Sequence, residues 1–233
     1  DYAGNVAPIV SQTINIDTLT PLITPTVSGV VGLNSWYVSS VQVSAVASDA
    51  GSGLATFEAD VDSSGWVAYT APIILTDGVH SVQFRATDQA GNLTTSPAQT
   101  IQVDTLTPTL SLPITGTAGL NGWYVSNTQV AVTAGDAGSG IFSTEALQDG
   151  ALYTPYTVPL SFAEGQHTYQ VRTTDMAGNV TETAVLTMNV DTIFPLVTLT
   201  PSITLGDAAL YTLMDNGSQL AYLNGAISDS GGL

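Results

Sequence analysis

Thr87-Asp88-Gln89-Ala90-Gly91-Asn92, with the stretch that follows it to Asp104-Thr105-Leu106-Thr107-Pro108, decides how the chain is read. The same pattern stands at Asp1-Tyr2-Ala3-Gly4-Asn5, running on to Asp17-Thr18-Leu19-Thr20-Pro21. It stands again at Asp175-Met176-Ala177-Gly178-Asn179, running on to Asp191-Thr192-Ile193-Phe194-Pro195. The first Asp falls at 1, 88 and 175 and the second at 17, 104 and 191, so both recur every 87 residues without insertion. A fixed period of this kind marks a tandem array.

Other landmarks keep the same interval. Gly32-Leu33-Asn34-Ser35-Trp36-Tyr37-Val38-Ser39 returns as Gly119-Leu120-Asn121-Gly122-Trp123-Tyr124-Val125-Ser126. Asp49-Ala50-Gly51-Ser52-Gly53 returns as Asp136-Ala137-Gly138-Ser139-Gly140. Glu58, Tyr69, Pro72, His80 and Arg85 have the twins Glu145, Tyr156, Pro159, His167 and Arg172, and roughly 45% of positions in the two full units are identical. A unit of this length exceeds the roughly 20–45 residues of a solenoid repeat and is long enough to hold a core of its own. The chain therefore divides into residues 1–17, the closing strand of a preceding repeat; 18–104 and 105–191, two full repeats; and 192–233, the first part of a divergent third. In that last part, Asp229-Ser230-Gly231-Gly232-Leu233 approximates the Asp-Ala-Gly-Ser-Gly-Leu loop. Both ends fall inside a repeat. This fits a window on a longer array, or a chain whose residues 1–17 complete a neighbour's sheet.

Within a unit the apolar period is two. Val41, Val43, Ala45 and Ala47 alternate with Gln42, Ser44 and Val46, and His80, Val82, Phe84 and Ala86 alternate with Ser81, Gln83, Arg85 and Thr87. Alternation predicts half-buried strands, and a helix could not use it because its faces recur every 3.6 residues. The segments expected as strands are Thr20–Thr26, Trp36–Ala47, Leu54–Val61, Trp66–Tyr69, Pro72–Leu75, His80–Thr87 and Leu93–Val103. Pro21 and Pro25 confine the first to a sheet edge. Short strands with turn signals at this spacing predict an all-β sandwich. The expected core includes Trp36, Val43, Phe57, Trp66, Phe84 and Ile101.

The motifs Gly-Trp-Tyr-x-Ser, Asp-Ala-Gly-Ser-Gly, Arg-x-Thr-Asp-x-Ala-Gly-Asn and Asp-Thr-x-x-Pro resemble the immunoglobulin-like repeats of large bacterial surface proteins. Such repeats also serve as spacers in secreted carbohydrate-active proteins. The resemblance covers both full units and residues 1–17, and fades after Pro201, where Leu210-Tyr211 is the nearest match to Trp-Tyr. It implies an all-β fold of tandem immunoglobulin-like sandwiches strung as a rod, secreted or on the cell surface, in a stalk, adhesin or filament. Its partners would be neighbouring repeats of the same or an adjacent chain, or a surface polymer or glycan.

Composition narrows the function. The net charge is −17, there is no lysine, and Arg85 and Arg172 are the only strong cations. Such a chain has no basic patch for phosphate, which excludes nucleic acid and anionic membrane surfaces as partners. Cysteine is absent, so disulfides and thiol catalysis are excluded. No apolar run approaches the ~18 residues that span a bilayer.

The Asp clusters are the leading candidates for a site. In an immunoglobulin-like topology the incoming linker, the loop after the second strand and the turn before the last strand share one end. This would gather Asp17, Asp49, Asp88 and Asn92 in one repeat and Asp104, Asp136, Asp175 and Asn179 in the next. Calcium takes six to eight oxygens from carboxylates, amides and carbonyls, and such a junction could supply them. The competing reading is local: each Asp caps backbone N–H groups of its own turn, with Gly at the positive-φ position.

Other features read as structural. His80 and His167 are lone histidines at strand starts without zinc-ligand spacing. Arg85 and Arg172 read as surface ion pairs, with Glu58 or Asp88 the candidate partners of Arg85. Trp36, Tyr37, Trp66 and Tyr69 could stack on sugars but recur as core positions. No serine, base and orienting acid stand together, and Asp60 is replaced by Leu147 in the second unit, so no acid pair persists. No enzyme is expected.

Overall fold

The computed structural model describes residues 2–195, 211–214 and 220–223. The regular elements among them are all strands. The first repeat holds β1 (Leu22–Ser28), β2 (Trp36–Tyr37), β3 (Val41–Ser48), β4 (Leu54–Val61), β5 (Val67–Ala68), β6 (Ile73–Leu75), β7 (Gly78–Asp88), β8 (Leu93–Thr95) and β9 (Gln99–Val103). One sheet runs β1-β3-β6 and the other β2-β9-β7-β4-β5, with β8 also on β7.

The alternation sets which faces meet. Val41, Val43 and Ala45 of β3 are buried while Gln42 and Val46 face out. They pack with Ala59, Leu75, Val82, Phe84, Ile101 and Val103 from the other strands. Two half-apolar sheets can each hide one face only against the other, which is why the sandwich forms. Val43, Phe84 and Ile101 lie in the core as expected, and Phe57 packs against it. Trp36 and Trp66 do not. Trp36 is half-buried, and Trp66 lies on the outer face with the Arg85 guanidinium 4.5 Å from its ring centroid. Arg85 stands opposite Glu58 in the β4–β7 register and bonds its carboxylate at 2.7 Å. Asp88, the other candidate, is turned inward.

Two expected strands are broken. Trp36–Tyr37 pairs in parallel with β9, and the chain then crosses between sheets before Val41 begins β3. Leu93–Val103 is interrupted at Ser96–Ala98. Pro97 has no N–H to offer there, and Ser96 meets Phe84 half by side chain: its N donates to the Phe84 carbonyl at 2.8 Å, and its hydroxyl accepts from Phe84 N at 3.0 Å.

The second repeat holds β10 (Thr109–Ser111), β11 (Ile114–Thr115), β12 (Trp123–Tyr124), β13 (Thr128–Val130), β14 (Thr133–Gly135), β15 (Ile141–Gln148), β16 (Thr154–Pro155), β17 (Leu160–Phe162), β18 (Gly165–Asp175), β19 (Val180–Glu182) and β20 (Leu186–Val190). The order β12-β20-β18-β15-β16, with β19 on β18, repeats the larger sheet of the first. The smaller sheet is split into β10-β14 and β11-β13-β17. Pro113 explains the split. Its carbonyl faces the neighbouring strand, accepting from Ala131 N at 3.0 Å, so its missing N–H is also on the ladder side. Pro25 sits one register earlier, where the missing N–H faces the open edge of β1, and leaves that ladder intact.

The backbone gathers into two compact units. One holds residues up to Leu112 with Val132–Val158 and Tyr169–Leu186; the other holds Pro113–Ala131, Pro159–Thr168 and the described residues from Thr187. This division does not follow the 87-residue period. Residues 4–21 form no strand, and Ile14 and Ile16 are 76% and 82% exposed, whereas their twins Ile101 and Val103 are 4% and 0% exposed between β7 and β2. Near the other end, β21 (Tyr211–Met214) and β22 (Leu220–Leu223) pair antiparallel. The remainder of the third-repeat reading, including Asp229–Leu233, lies outside the described residues.

His80 has a structural role. Its Nδ1 meets Asp62 Oδ2 at 2.9 Å and its Nε2 meets the Thr76 carbonyl at 3.0 Å. Both partners are acceptors, so the arrangement favours the doubly protonated ring. The Asp62 hydrogen bond raises the His80 pKa above the ordinary 6.5. Asp62 and Ser63 occupy the left-handed region, φ 55° and 57°, so the pair braces a strained turn. Because the folded pKa is raised, the contribution to stability is complete below pH 6.5 and fades as pH rises through the folded value. A proton-NMR titration should place the His80 midpoint above 6.5, and Asp62→Asn should bring it back down and flatten that pH dependence of stability.

Candidate metal centre

Three segments deliver the first Asp cluster. Asp17 lies in the stretch leading to β1, Asp49 follows β3, and Asp88 ends β7. One carboxylate oxygen from each lies within 4.8 Å of the other two. Asp104, Asp136 and Asp175 repeat the arrangement. Asp88, Asp104 and Asp175 are essentially inaccessible to solvent.

Backbone N–H groups hold most of these oxygens. Asp17 accepts from Leu19 N at 3.0 Å and from Ser52 N. Asp49 Oδ2 accepts from Gly51 N and Gly53 N at 2.9 and 2.8 Å. Asp88 Oδ1 accepts from Asn92 N at 2.8 Å. The second cluster copies each bond through Leu106, Ser139, Gly138, Gly140 and Asn179. Hydrogen bonds from Ser52 and then Leu19 hold the Asp17 carboxyl below the ordinary 3.8. Asn92 and Asn179 join both clusters, but through the amide nitrogen. Asn92 Nδ2 donates to Asp88 Oδ2 at 2.8 Å and to the Asp17 carbonyl at 3.2 Å. Asn179 Nδ2 does the same with Asp175 and Asp104. The two asparagines therefore buttress the carboxylates from the side.

No arginine neutralises these clusters. Arg85 is bound to Glu58 and Arg172 to Glu145, each at 2.7 Å. One oxygen in each cluster, Asp49 Oδ1 and Asp136 Oδ1, is buried without a hydrogen-bond partner. An orphaned carboxylate oxygen among two further carboxylates, with no cysteine or histidine in either group, fits a hard divalent cation and not zinc.

The sequence profile of the bacterial Ig-like domain (Big_13) matches residues 11–105 and 117–192. The chain belongs to this family. A comparison with curated proteins finds no match. Among solved structures, fibronectin(III)-like modules of Clostridium thermocellum CbhA match at 18% identity and a TM-score of 0.33, over 72% of this chain and 94% of that one.

Of the predicted site residues in this family member, all eight come together in their two groups. The aromatic candidates do not form a platform: Tyr37 and Tyr69 pack against the core, and Trp66 is covered by Arg85. Two sets of residues were not anticipated. Ser52 and Ser139 bridge loop to turn, their hydroxyls accepting from Ala90 N and Ala177 N at 3.1 and 3.0 Å. Asp77 and Glu164 hold the linkers, Asp77 binding Thr105 N at 2.8 Å and Glu164 binding Thr192 N at 2.6 Å. Their signal was available, since acids stand at equivalent positions in both units.

Gly51 and Gly138 have no space for a side chain, because a Cβ on either would collide with the Asp17 or Asp104 carboxylate. Forcing atoms into such a contact costs about 1–3 kcal/mol. Gly51→Ala and Gly138→Ala should each destabilise the chain by about that amount in urea unfolding, whereas Ala50→Ser, at an exposed position in the same loop, should change it by less than about 0.5 kcal/mol.

Proposed function

We propose that this chain is a non-catalytic structural segment of an extracellular bacterial protein, a stalk, adhesin or filament, in which tandem Ig-like domains set spacing. The observation that carries this reading is duplication of use. Asp88 and Asp175, Ser52 and Ser139, and Arg85 and Arg172 each make the same bonds in their own repeat. A catalyst needs one set of groups around one substrate, whereas a set used identically in every unit serves the unit. The linkers support it further. Asp104 is bound to Ser139 and Leu106, and Thr105 to Asp77, so the residues between repeats are held by bonds on both sides. Its partners are other repeats of this kind.

The Asp clusters are proposed as calcium sites of the repeat junctions. Asp17, Asp49 and Asp88 would hold one ion and Asp104, Asp136 and Asp175 another, with Asn92 and Asn179 fixing the carboxylates. The bound ion would offset three close negative charges and tie three segments to one point. A chain of net charge −17 gains from that compensation.

A thermal melt of the whole chain in calcium and then in EDTA tests this. A ligand present at a hundred times its Kd stabilises by about 2.7 kcal/mol, so the Tm should rise by several degrees with calcium. Asp49→Asn with Asp136→Asn should abolish the rise. An unchanged Tm assigns the clusters to turn capping alone. The spacer reading is tested separately on a glycan array, where no saturable binding is expected. Binding that is lost on changing Trp66 and Trp123 to Ala would replace it with a carbohydrate-binding module.

A further inference from the structure

The two full repeats differ in how firmly each is knit. In the first, β1 runs along β3 through seven consecutive pairs, from Leu22↔Ser48 to Ser28↔Gln42. In the second, the matching stretch makes three pairs between β10 and β14 and two between β11 and β13, with Leu112 and Pro113 between them. The first repeat lies whole within one compact unit, whereas the second is divided between two.

The cores differ as well. Thr144 and Val171 stand where the first repeat has Phe57 and Phe84, but Phe162 and Tyr169 stand where it has Leu75 and Val82, so rings lost at two positions return at two others. Polar groups make the difference. Thr128 and Thr173 are fully buried at the positions of Val41 and Ala86, which are fully buried too. Thr173 is satisfied, its hydroxyl donating to the Ser143 carbonyl at 3.0 Å. The Thr128 hydroxyl is buried without a hydrogen-bond partner. It gives up its bonds to water on folding and receives nothing in return, which penalises the folded form alone.

We infer that the second repeat is the yielding element of this segment: residues 105–191 open while residues 18–104 stay folded. β10 and β11 follow directly on the linker Asp104–Pro108, so tension entering through the linker falls on the interrupted ladder. Fewer ladder bonds share the load there than along β1. Once open, the repeat releases chain at up to about 3.3–3.6 Å per residue, and the segment lengthens before its first repeat is strained. This use rests on the spacer reading above; the order of opening rests on the packing alone.

The chain carries its own reporter of that order. Arg85 and Arg172 are its only trypsin sites, one in each full repeat. Each lies mid-strand in β7 or β18, bound to a glutamate and covered by an aromatic ring. Each is therefore cut when its own repeat opens, at a rate that follows the open population. The whole chain is digested in rising urea, and the first products are identified by mass. Initial rates are divided by those of the fully unfolded chain, which removes any intrinsic preference for one bond. Cleavage after Arg172, giving 1–172 and 173–233, should run at least about tenfold faster than cleavage after Arg85. Thr128→Val and Pro113→Thr each copy the first repeat, at Val41 and Thr26. Thr128→Val should slow the Arg172 cut by about tenfold, Pro113→Thr should slow it too, and neither should change the Arg85 cut. Circular dichroism establishes that each variant is folded. Equal rates, or cleavage at Arg85 first, overturn the inference. Cleavage at Arg172 first that neither substitution slows overturns the buried hydroxyl and the broken ladder as its cause. Saturable sugar binding on the glycan array would overturn the spacer reading and leave the order of opening as measured.

Discussion

Asp104 is fully buried, and both arginines of the chain are spent on glutamates elsewhere. A carboxylate in that position is tolerable only if its oxygens are satisfied, since an unpaired buried charge costs several kcal/mol or more. Leu106 N and Ser139 N satisfy them, and Asn179 binds the carbonyl of the same residue. The linker, the loop after β14 and the turn after β18 are thereby required to meet at one residue. The position of Gly138, which leaves room for the carboxylate, follows from the same requirement.

The sandwich supplies the frame for that meeting. Its faces come from strict alternation along β3 and β7, which leaves polar side chains on the outside and apolar ones between the sheets. Loops at the strand ends then have fixed origins, and short polar side chains can bridge them. Ser52 and Ser139 do this between the Asp-Ala-Gly-Ser-Gly loop and the Asp-x-Ala-Gly-Asn turn. Charge is handled economically outside the core as well: each arginine is sandwiched between a glutamate and an aromatic ring, Trp66 in one repeat and Tyr153 in the other. The acids left over are held by backbone N–H groups, and the two clusters inherit an unbalanced negative charge that a hard cation would offset.

Much of this was legible beforehand, for reasons that differ by residue. The 87-residue period followed from motif order, and the grouping of Asp17, Asp49 and Asp88 from the immunoglobulin-like topology that the resemblance implied. The Glu58–Arg85 pair was named among its alternatives because outward positions on adjacent strands meet. Trp36 and Trp66 misled, because size and hydrophobicity indicate a need for cover but not which cover. An arginine on the outer face served Trp66 as well as a core would. The broken strands at Val38–Ser40 and Ser96–Ala98 were also hidden: at the first the chain changes sheet, and at the second it stays beside β7 with its pairing shifted by one residue, neither of which the apolar pattern signals.

By itself, then, the sequence determined the repeat, the all-β class, the inward-facing residues of β3 and β7, and which Asp residues recur in register, because all of these depend on local periodicity and on identities repeated at a fixed interval. Only the tertiary structure decided which oxygen of each carboxylate is bonded and which is left bare, and which linker residues are pinned by Asp77 and Glu164. Those outcomes depend on distances between segments dozens of residues apart. Chain order constrains such distances only through the packing of the two sheets.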